Sequence, residues 1–278
     1  MRRILAADIG GTNSRFGFFE LPGEGAPVLA GVVRLATTGA ESFPALLEAV
    51  FASGPPFAAR ACDAAVLAVP GPVVGGAYCH PPNIRWDIDL ADAVRLGLAN
   101  AVLINDFAAQ AWACRSEAVL GARVLQAGKP DPQGVVAVIG AGTGLGHCAL
   151  APLTPLSQRG PSCAGGRGGW LALPSESGHA AFPFVGEAEA AYGESVRRSL
   201  GHPYCTGDDI VTGGGLRRVH AHLTGEDLPP AEVGARLAEH PRTVEWFARF
   251  YGRACRHYAL AVPVSYTHLR AHETIGRI

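Results

Sequence analysis

The sequence predicts an α/β protein of two lobes. A strand, a glycine-rich turn and a second strand occur at the amino terminus and again near residue 140. Apolar strand-like segments alternate with amphipathic helical segments elsewhere. The chain has 278 residues, 48% of them hydrophobic, which is enough for two cores. We interpret the repeated pattern as an internal duplication.

Composition points to small-molecule partners. The net charge is -1, and lysines and arginines do not cluster, which argues against nucleic acid and anionic membranes. The apolar stretch in MRRILAADIGG is too short for a signal peptide, and no run reaches the length of a membrane span, so we expect a cytoplasmic protein. Seven cysteines without a C-x-x-C pair indicate reduced thiols, mostly in the core.

The predicted elements follow from hydrophobic periodicity and from the positions of glycine and proline. In the first part of the chain we expect strands over 4–7, 15–20, 28–35, 64–69 and 101–104, and helices over 42–52, 89–96 and 107–114. In the second part we expect strands over 135–139 and 147–151, helices over 187–200, 215–223 and 242–262, and an exposed polar loop over 154–167.

The segment DIGGTNSR carries the first candidate site. Asp8 follows an apolar strand, and Gly10, Gly11, Thr12 and Asn13 form a turn whose backbone N–H groups can surround a phosphate. Asp8 would hold Mg²⁺, directly or through a water molecule. The alternative is an ordinary hairpin turn.

The segment GAGTGLG is a second turn of this kind. Gly140, Gly142, Thr143 and Gly144 would form a phosphate cradle, to which Thr143 adds a hydroxyl donor. A dinucleotide-binding turn has a different glycine spacing and opens a helix, whereas a strand follows here.

Two further segments offer catalytic and sugar-binding groups. Asn105 and Asp106 follow the strand AVLI, where Asp106 could act as a general base or as a helix N-cap. Glu176 and His179 in ESGH could grip neighbouring hydroxyls, or His179 could be structural. One E-x-x-H pair is weak evidence for a metal site.

Seven segments in order resemble bacterial glucokinases, enzymes of the actin and sugar-kinase group, over about 260 residues. They are DIGGTNSR, LAVPGPV, PPNIRW, INDFAAQA, GAGTGLG, PSESGHAAF and IVTGGGL. The resemblance implies the two-lobed actin/sugar-kinase (ribonuclease H-like) fold with a cleft between the lobes. It also implies transfer of the γ-phosphoryl group of ATP to the 6-hydroxyl of glucose, the first step of glycolysis.

The resemblance implies roles for individual residues. Asp106 would be the catalytic base, and glucose would contact Asn83, Asn105, Asp106, Glu176, His179 and Asp208. Asp208 stands where the family has a glutamate, four residues before Thr212. The two glycine turns would face each other and hold ATP, with Mg²⁺ at Asp8, and the full-length protein would be a homodimer.

The end of the sequence departs from the family. We expect a small lobe over 1–108, a large lobe over 109–263 that lacks the family's strand and glycine turn after the long helix, and a non-native tail over 264–278. The segment VSYTHLRAHET resembles translated sequencing-adapter DNA. An unusual polar tail is the alternative, and a native reading frame through it would refute the adapter hypothesis.

Two other functions stay open. A repressor-type kinase for another hexose would resemble this chain, although such proteins usually carry a cysteine-rich zinc motif after E-x-G-H, and none follows His179. A non-catalytic sugar-binding protein of the same fold is the second alternative.

Overall fold

The structure, a computed structural model, describes residues 1–98, 100–119, 121–129, 131–153, 169–262 and 264–271, the last range by its backbone alone. The chain divides into two compact units, Met1–Ala109 and Gln110–Ile278. The predicted loop at 154–167 lies outside the described residues.

The first unit is built around a five-stranded sheet in the order β3-β2-β1-β4-β8. β1 is antiparallel to β2 and parallel to β4, and β4 is parallel to β8. Three very short strands, β5 to β7, form a second sheet. The elements are β1 (Arg2–Ile9), β2 (Asn13–Leu21), β3 (Val28–Ala36), α1 (Phe43–Ala52), β4 (Ala64–Val69), β5 (Val73–Val74), β6 (Tyr78–Cys79), β7 (Ile88–Asp89), α2 (Leu90–Arg95), β8 (Ala101–Asn105) and α3 (Asp106–Ala113).

Helix α1 shows how the sequence pattern produces this unit. The Ser42 hydroxyl accepts a hydrogen bond from the Ala45 N–H at 3.2 Å and caps the helix. Phe43, Leu46, Leu47 and Val50 recur at helical spacing and are fully or almost fully buried. The predicted helix is therefore confirmed, and its apolar face belongs to the core of the first unit.

The second unit contains a four-stranded sheet in the order β11-β10-β9-β12, with helices following β11. β9 is antiparallel to β10 and parallel to β12. The elements are β9 (Val135–Ala141), β10 (Leu145–Leu153), β11 (Gly169–Ser175), α4 (Gly186–Leu200), α5 (Gly207–Ile210), α6 (Gly213–Thr224), α7 (Pro230–Ala235), α8 (Pro241–Ala261) and β12 (Val264–Ala271).

Strand β12 corrects one expectation. No strand was expected after the long helix, yet the backbone of Val264–Ala271 pairs with β9. Strand β9 is almost wholly buried, so its backbone groups need a partner on each side, and a segment containing valine, tyrosine and threonine suits a strand. The adapter origin of these residues stays a prediction.

The core of the second unit is rich in aromatic side chains. Trp246, Phe247, Phe250 and Tyr258 of α8 are buried at helical spacing, and Tyr192 of α4 stacks on Phe250 with ring centroids 5.7 Å apart. The six cysteines in the described part of the chain are free thiols, four of them buried, as predicted. None of the helices described in the structure is both long and apolar enough to span a bilayer.

Candidate active site

The carboxyl ends of β1, β4 and β8 form one edge of the first sheet. Asp8 of β1 is level with Ala68 of β4, which is level with Ile104 of β8. Strands β1 and β8 are thus two strand spacings apart, about 10 Å. Asp8 and the Asn105–Asp106 pair therefore lie along one edge, where open α/β sheets bind ligands.

Asn105, rather than Asp106, caps helix α3. Its side-chain oxygen Oδ1 accepts hydrogen bonds from the backbone N–H groups of Phe107 at 2.9 Å and Ala108 at 3.2 Å. Its amide group donates to the Gly71 carbonyl at 3.1 Å. The helix-capping role suggested for Asp106 is thus filled by Asn105. The second hydrogen of the Asn105 side-chain amide has no partner among the described residues and can donate to a ligand.

Asp106 is the first residue of α3 and is partly exposed. One of its carboxylate oxygens accepts a hydrogen bond from the Phe107 N–H at 2.9 Å. Cys79 lies fully buried nearby, and burial first, then the charge of Asp106, raise the pKa of its thiol to about 11. The carboxylate of Asp106 therefore has a neutral thiol as a neighbour.

The first glycine turn is packed against the loop that contains Asn83. A Cβ atom at Gly11 would lie 2.9 Å from the Asn83 carbonyl oxygen and 3.0 Å from its Cβ. The same loop contacts the segment after β4, because a Cβ atom at Gly71 would lie 3.0 Å from Pro82. Gly71 also has φ +90°, which favours glycine. Asn83 itself is exposed beside the turn.

The second glycine turn is shorter than the sequence suggested. Gly140 lies inside β9, is buried and pairs with Gly146 of β10, so it belongs to the strand ladder. The turn consists of 142–144, closed by a hydrogen bond from the Gly142 N–H to the Gly144 carbonyl at 2.8 Å. Thr143 and Gly144 are exposed.

Glu176, His179 and Asp208 form what we call the acidic cluster of the second unit. His179 Nδ1 lies 3.1 Å from Asp208 Oδ2, and His179 Nε2 lies 3.6 Å from Glu176 Oε2. The side chains of Glu176 and His179 are mostly exposed, whereas Asp208 is more buried. The structure thus brings together three predicted sugar-binding residues from two segments of the chain.

Asp208 also connects the acidic cluster to the second glycine turn. Its Oδ1 accepts a hydrogen bond from the Leu145 N–H, the residue after the turn, at 2.7 Å. Gly178 of the ESGH segment permits this contact, because a Cβ atom there would overlap Asp208 Oδ1 and the Leu145 carbonyl oxygen. The glycine of ESGH is therefore required by close packing.

Sequence reasoning missed the amino terminus of α6 as part of this region. Thr212 caps α6 by accepting the Gly215 N–H at 3.1 Å, and the Gly213 N–H donates to the Gly142 carbonyl at 3.1 Å. The positive end of α6 thus lies at the second glycine turn. A capping threonine followed by three glycines was the available signal.

The fold is that of the sugar-kinase class of α/β proteins. The structure is similar to a glucokinase from an Antarctic psychrotroph, with a TM-score of 0.73 and 24% identity over 98% of this chain and 84% of that one. It is also similar to a ROK family glucokinase from Streptomyces griseus in complex with glucose and AMPPNP, with a TM-score of 0.58 and 22% identity over 98% of this chain and 86% of that one.

Sequence comparison identifies the family. A sequence profile described as Glucokinase matches residues 5–265. The glucokinase of Chromobacterium violaceum is 30% identical over 270 residues, which are 93% of this chain and 71% of the relative. That of Synechocystis sp. is 31% identical over 79% of this chain and 60% of the relative. The chain belongs to the glucokinase family and spans 60% to 71% of these relatives' lengths.

Proposed function

We propose that this chain transfers the γ-phosphoryl group of ATP to the 6-hydroxyl of glucose, giving glucose 6-phosphate and ADP. The observation that carries this proposal is the match to the glucokinase family over residues 5–265. The geometry of the two units supports the roles of individual residues.

Asp106 is the proposed general base. It follows β8 at the sheet edge that also carries Asp8, and its carboxylate is partly exposed. As the 6-hydroxyl attacks phosphorus, Asp106 accepts the hydroxyl proton. Asn105 holds the start of α3 in place through its cap and donates its remaining amide hydrogen to the sugar.

The acidic cluster of the second unit is the proposed site for the other sugar hydroxyls. Carboxylate oxygens of Glu176 and Asp208 accept hydrogen bonds from sugar hydroxyls, and the His179 imidazole lies between them. One carboxylate oxygen of Asp208 accepts a hydrogen bond from the Leu145 N–H, so a sugar hydroxyl donates to the lone pairs that remain on the carboxylate. Asn83 contributes from the loop beside the first glycine turn.

The two glycine turns are the proposed phosphate sites. Exposed Thr12 and Asn13 in the first turn, and Thr143 and Gly144 in the second, offer backbone N–H groups, and the positive end of α6 favours negative charge near Gly142. Mg²⁺ is usually bound by one or two carboxylates together with substrate phosphates, so the single exposed carboxylate of Asp8 suits this ion. Asp8 would hold this ion, which offsets charge on the phosphates when bound.

Substitution of Asp106 by Asn tests the proposal. We expect kcat to fall by about 100-fold to 10,000-fold, because the proton acceptor is lost, while the glucose dissociation constant changes by less than about threefold. A coupled glucose 6-phosphate assay and calorimetry with glucose measure the two quantities. Asp92→Asn, which removes a partly buried carboxylate of α2 that pairs with Arg95, is the matched control.

Near-wild-type turnover of Asp106→Asn would refute the assignment. Assays with a panel of hexoses test the choice of substrate. A higher kcat/KM for fructose, mannose or an N-acetylated hexosamine than for glucose would make that sugar the assigned substrate. The homodimer and a closed cleft in which the two glycine turns face each other stay predictions from the resemblance, and the cytoplasmic location stays a prediction from the sequence.

A further inference from the structure

Three potential metal ligands meet in the second unit, away from the acidic cluster. His220 lies in α6, Glu226 lies in the segment after this helix, and His240 immediately precedes α8. Their ligand atoms all lie within 4.8 Å of one another. His220 is the eighth residue of α6, roughly 10 Å along the helix axis from Gly213.

The two imidazoles have buried nitrogens that lack partners. His220 is fully buried, and neither its Nε2 nor the Nε2 of His240 has a hydrogen-bond partner among the described residues. The two rings contact each other with centroids 4.5 Å apart. Buried polar atoms without partners are costly, so this arrangement calls for a ligand.

The surroundings of His220 favour metal binding through Nε2. Its Nδ1 lies 3.3 Å from the hydroxyl of Thr243, which is itself buried. When Nδ1 donates to this hydroxyl, Nε2 presents its lone pair, as in the outer-shell contacts of known metal sites. Burial, followed by the neighbouring His240, holds the pKa of His220 below its ordinary value, so the ring is neutral at pH 7.

The charges around the group are compatible with a cation. Glu226 lies 3.9 Å from His220 Nε2 and also 3.5 Å from Arg236. Arg236 has a second carboxylate partner in Glu239 at 3.1 Å. If Glu226 turned to a metal ion, Arg236 would keep one ion pair. Because the Glu226 side chain is half exposed, it can make this movement.

We propose that His220, Glu226 and His240 bind one divalent transition-metal ion, with zinc as the best fit. Two imidazoles and one carboxylate form a zinc donor set, and a water molecule would complete four-coordination. Bonds of about 2.0–2.2 Å place tetrahedral ligands about 3.4 Å apart, so the three side chains must draw closer together. The ion would tie the end of α6 to the start of α8.

Titration of the metal-stripped full chain with Zn²⁺ in excess Mg²⁺ tests this site. We expect one equivalent to bind and to raise the melting temperature. Glu226→Gln and His240→Gln should each weaken Zn²⁺ binding by at least about tenfold, because each removes a ligand. Glu226 is exposed, so its variant should fold. His257→Gln removes an exposed imidazole outside the group and should leave binding unchanged.

Cobalt substitution gives a second measurement. Co²⁺ bound by the wild type should show the strong visible absorption of a four-coordinate site, and Glu226→Gln should lose it. Zn²⁺ binding of equal affinity in wild type, Glu226→Gln and His240→Gln would place the ion elsewhere, for example on the free thiols, and would overturn the proposal. Absence of binding at micromolar Zn²⁺ would also overturn it.

Discussion

The two sheets share a strand order but hold their glycine turns differently. In both, the first strand is antiparallel to the second and parallel to a later one, so β3-β2-β1-β4 corresponds to β11-β10-β9-β12. This shared topology agrees with the predicted duplication, which stays an interpretation. The first sheet has a fifth strand, β8, which leads to Asn105 and Asp106.

The difference lies in what touches each turn. Gly11 of the first turn packs against the loop at Asn83. The second turn is hydrogen-bonded to α6 through Gly213 and, through the Leu145 N–H, to Asp208 of the acidic cluster. A change in the acidic cluster should therefore reach the second turn directly, whereas the first turn should respond only to its loop.

Gly178→Ala should have the largest effect in the comparison. The new Cβ would overlap Asp208 and the Leu145 backbone, so the Leu145 hydrogen bond and the acidic cluster cannot both keep their positions. We expect kcat/KM for glucose to fall at least about 100-fold, equivalent to about 2.7 kcal/mol. Steady-state kinetics over glucose concentration measures this loss.

Gly252→Ala is the matched control for this substitution. Gly252 lies in α8 of the same unit, and a Cβ atom there meets no other atom within 4 Å. We expect unchanged kinetics and slightly higher stability, since alanine favours a helix. A wild-type kcat/KM in Gly178→Ala would show that glucose phosphorylation does not depend on the contact between Asp208 and the Leu145 N–H.

The buried residue His147 should make the stability of the second hairpin depend on pH. Counting from each turn, the third paired residue of the second strand is Phe16 in β2 and His147 in β10, and both are buried. Burial lowers the pKa of His147 from 6.5 to about 4, against a smaller opposing effect of the Leu145 backbone. The neutral ring packs on Tyr258, with centroids 4.5 Å apart.

The second unit should therefore lose stability in acid. Because the folded-state pKa is depressed, the contribution of His147 is complete above pH 6.5 and is lost as pH falls towards 4. The loss is on the order of 3 kcal/mol. Urea unfolding of wild type and His147→Phe at pH 7.5 and pH 4.5 should show a smaller decrease in the variant. Equal decreases in the two proteins would contradict this role.

Much of the fold was predictable because hydrophobic periodicity and helix caps act locally. Ser42 with the apolar positions of α1, and the apolar run Ala64–Val69, specified their elements without distant contacts. Strand β12 was missed because the family resemblance stopped before it. Gly140 was misplaced in the turn because only the pairing register with Gly146 fixes where a strand ends.

The candidate site was predictable as residue types but not as contacts. Asp208 was found by counting from Thr212, yet its hydrogen bond to Leu145 joins residues 63 apart in the chain. Nothing near Asn105 in the sequence shows that its amide donates to Gly71, 34 residues earlier. Such contacts depend on how separate elements pack, which local patterns do not encode.

Gly11→Ala should have the smallest effect and sharpens the contrast between the turns. Its Cβ would lie 2.9 Å from the Asn83 carbonyl oxygen, so the backbone of this exposed loop must shift, whereas Gly178→Ala overlaps two atoms more closely. We expect KM for ATP to rise about threefold to tenfold, equivalent to about 0.6–1.4 kcal/mol. KM for glucose should rise less, because Asn83 is only one of several proposed glucose contacts. Kinetics with each substrate varied in turn measures both. If Gly11→Ala weakened glucose binding as strongly as Gly178→Ala, the proposed difference between the two turns would be wrong. The contact of Gly11 with the Asn83 loop would then affect glucose binding as much as the hydrogen bond of Asp208 does.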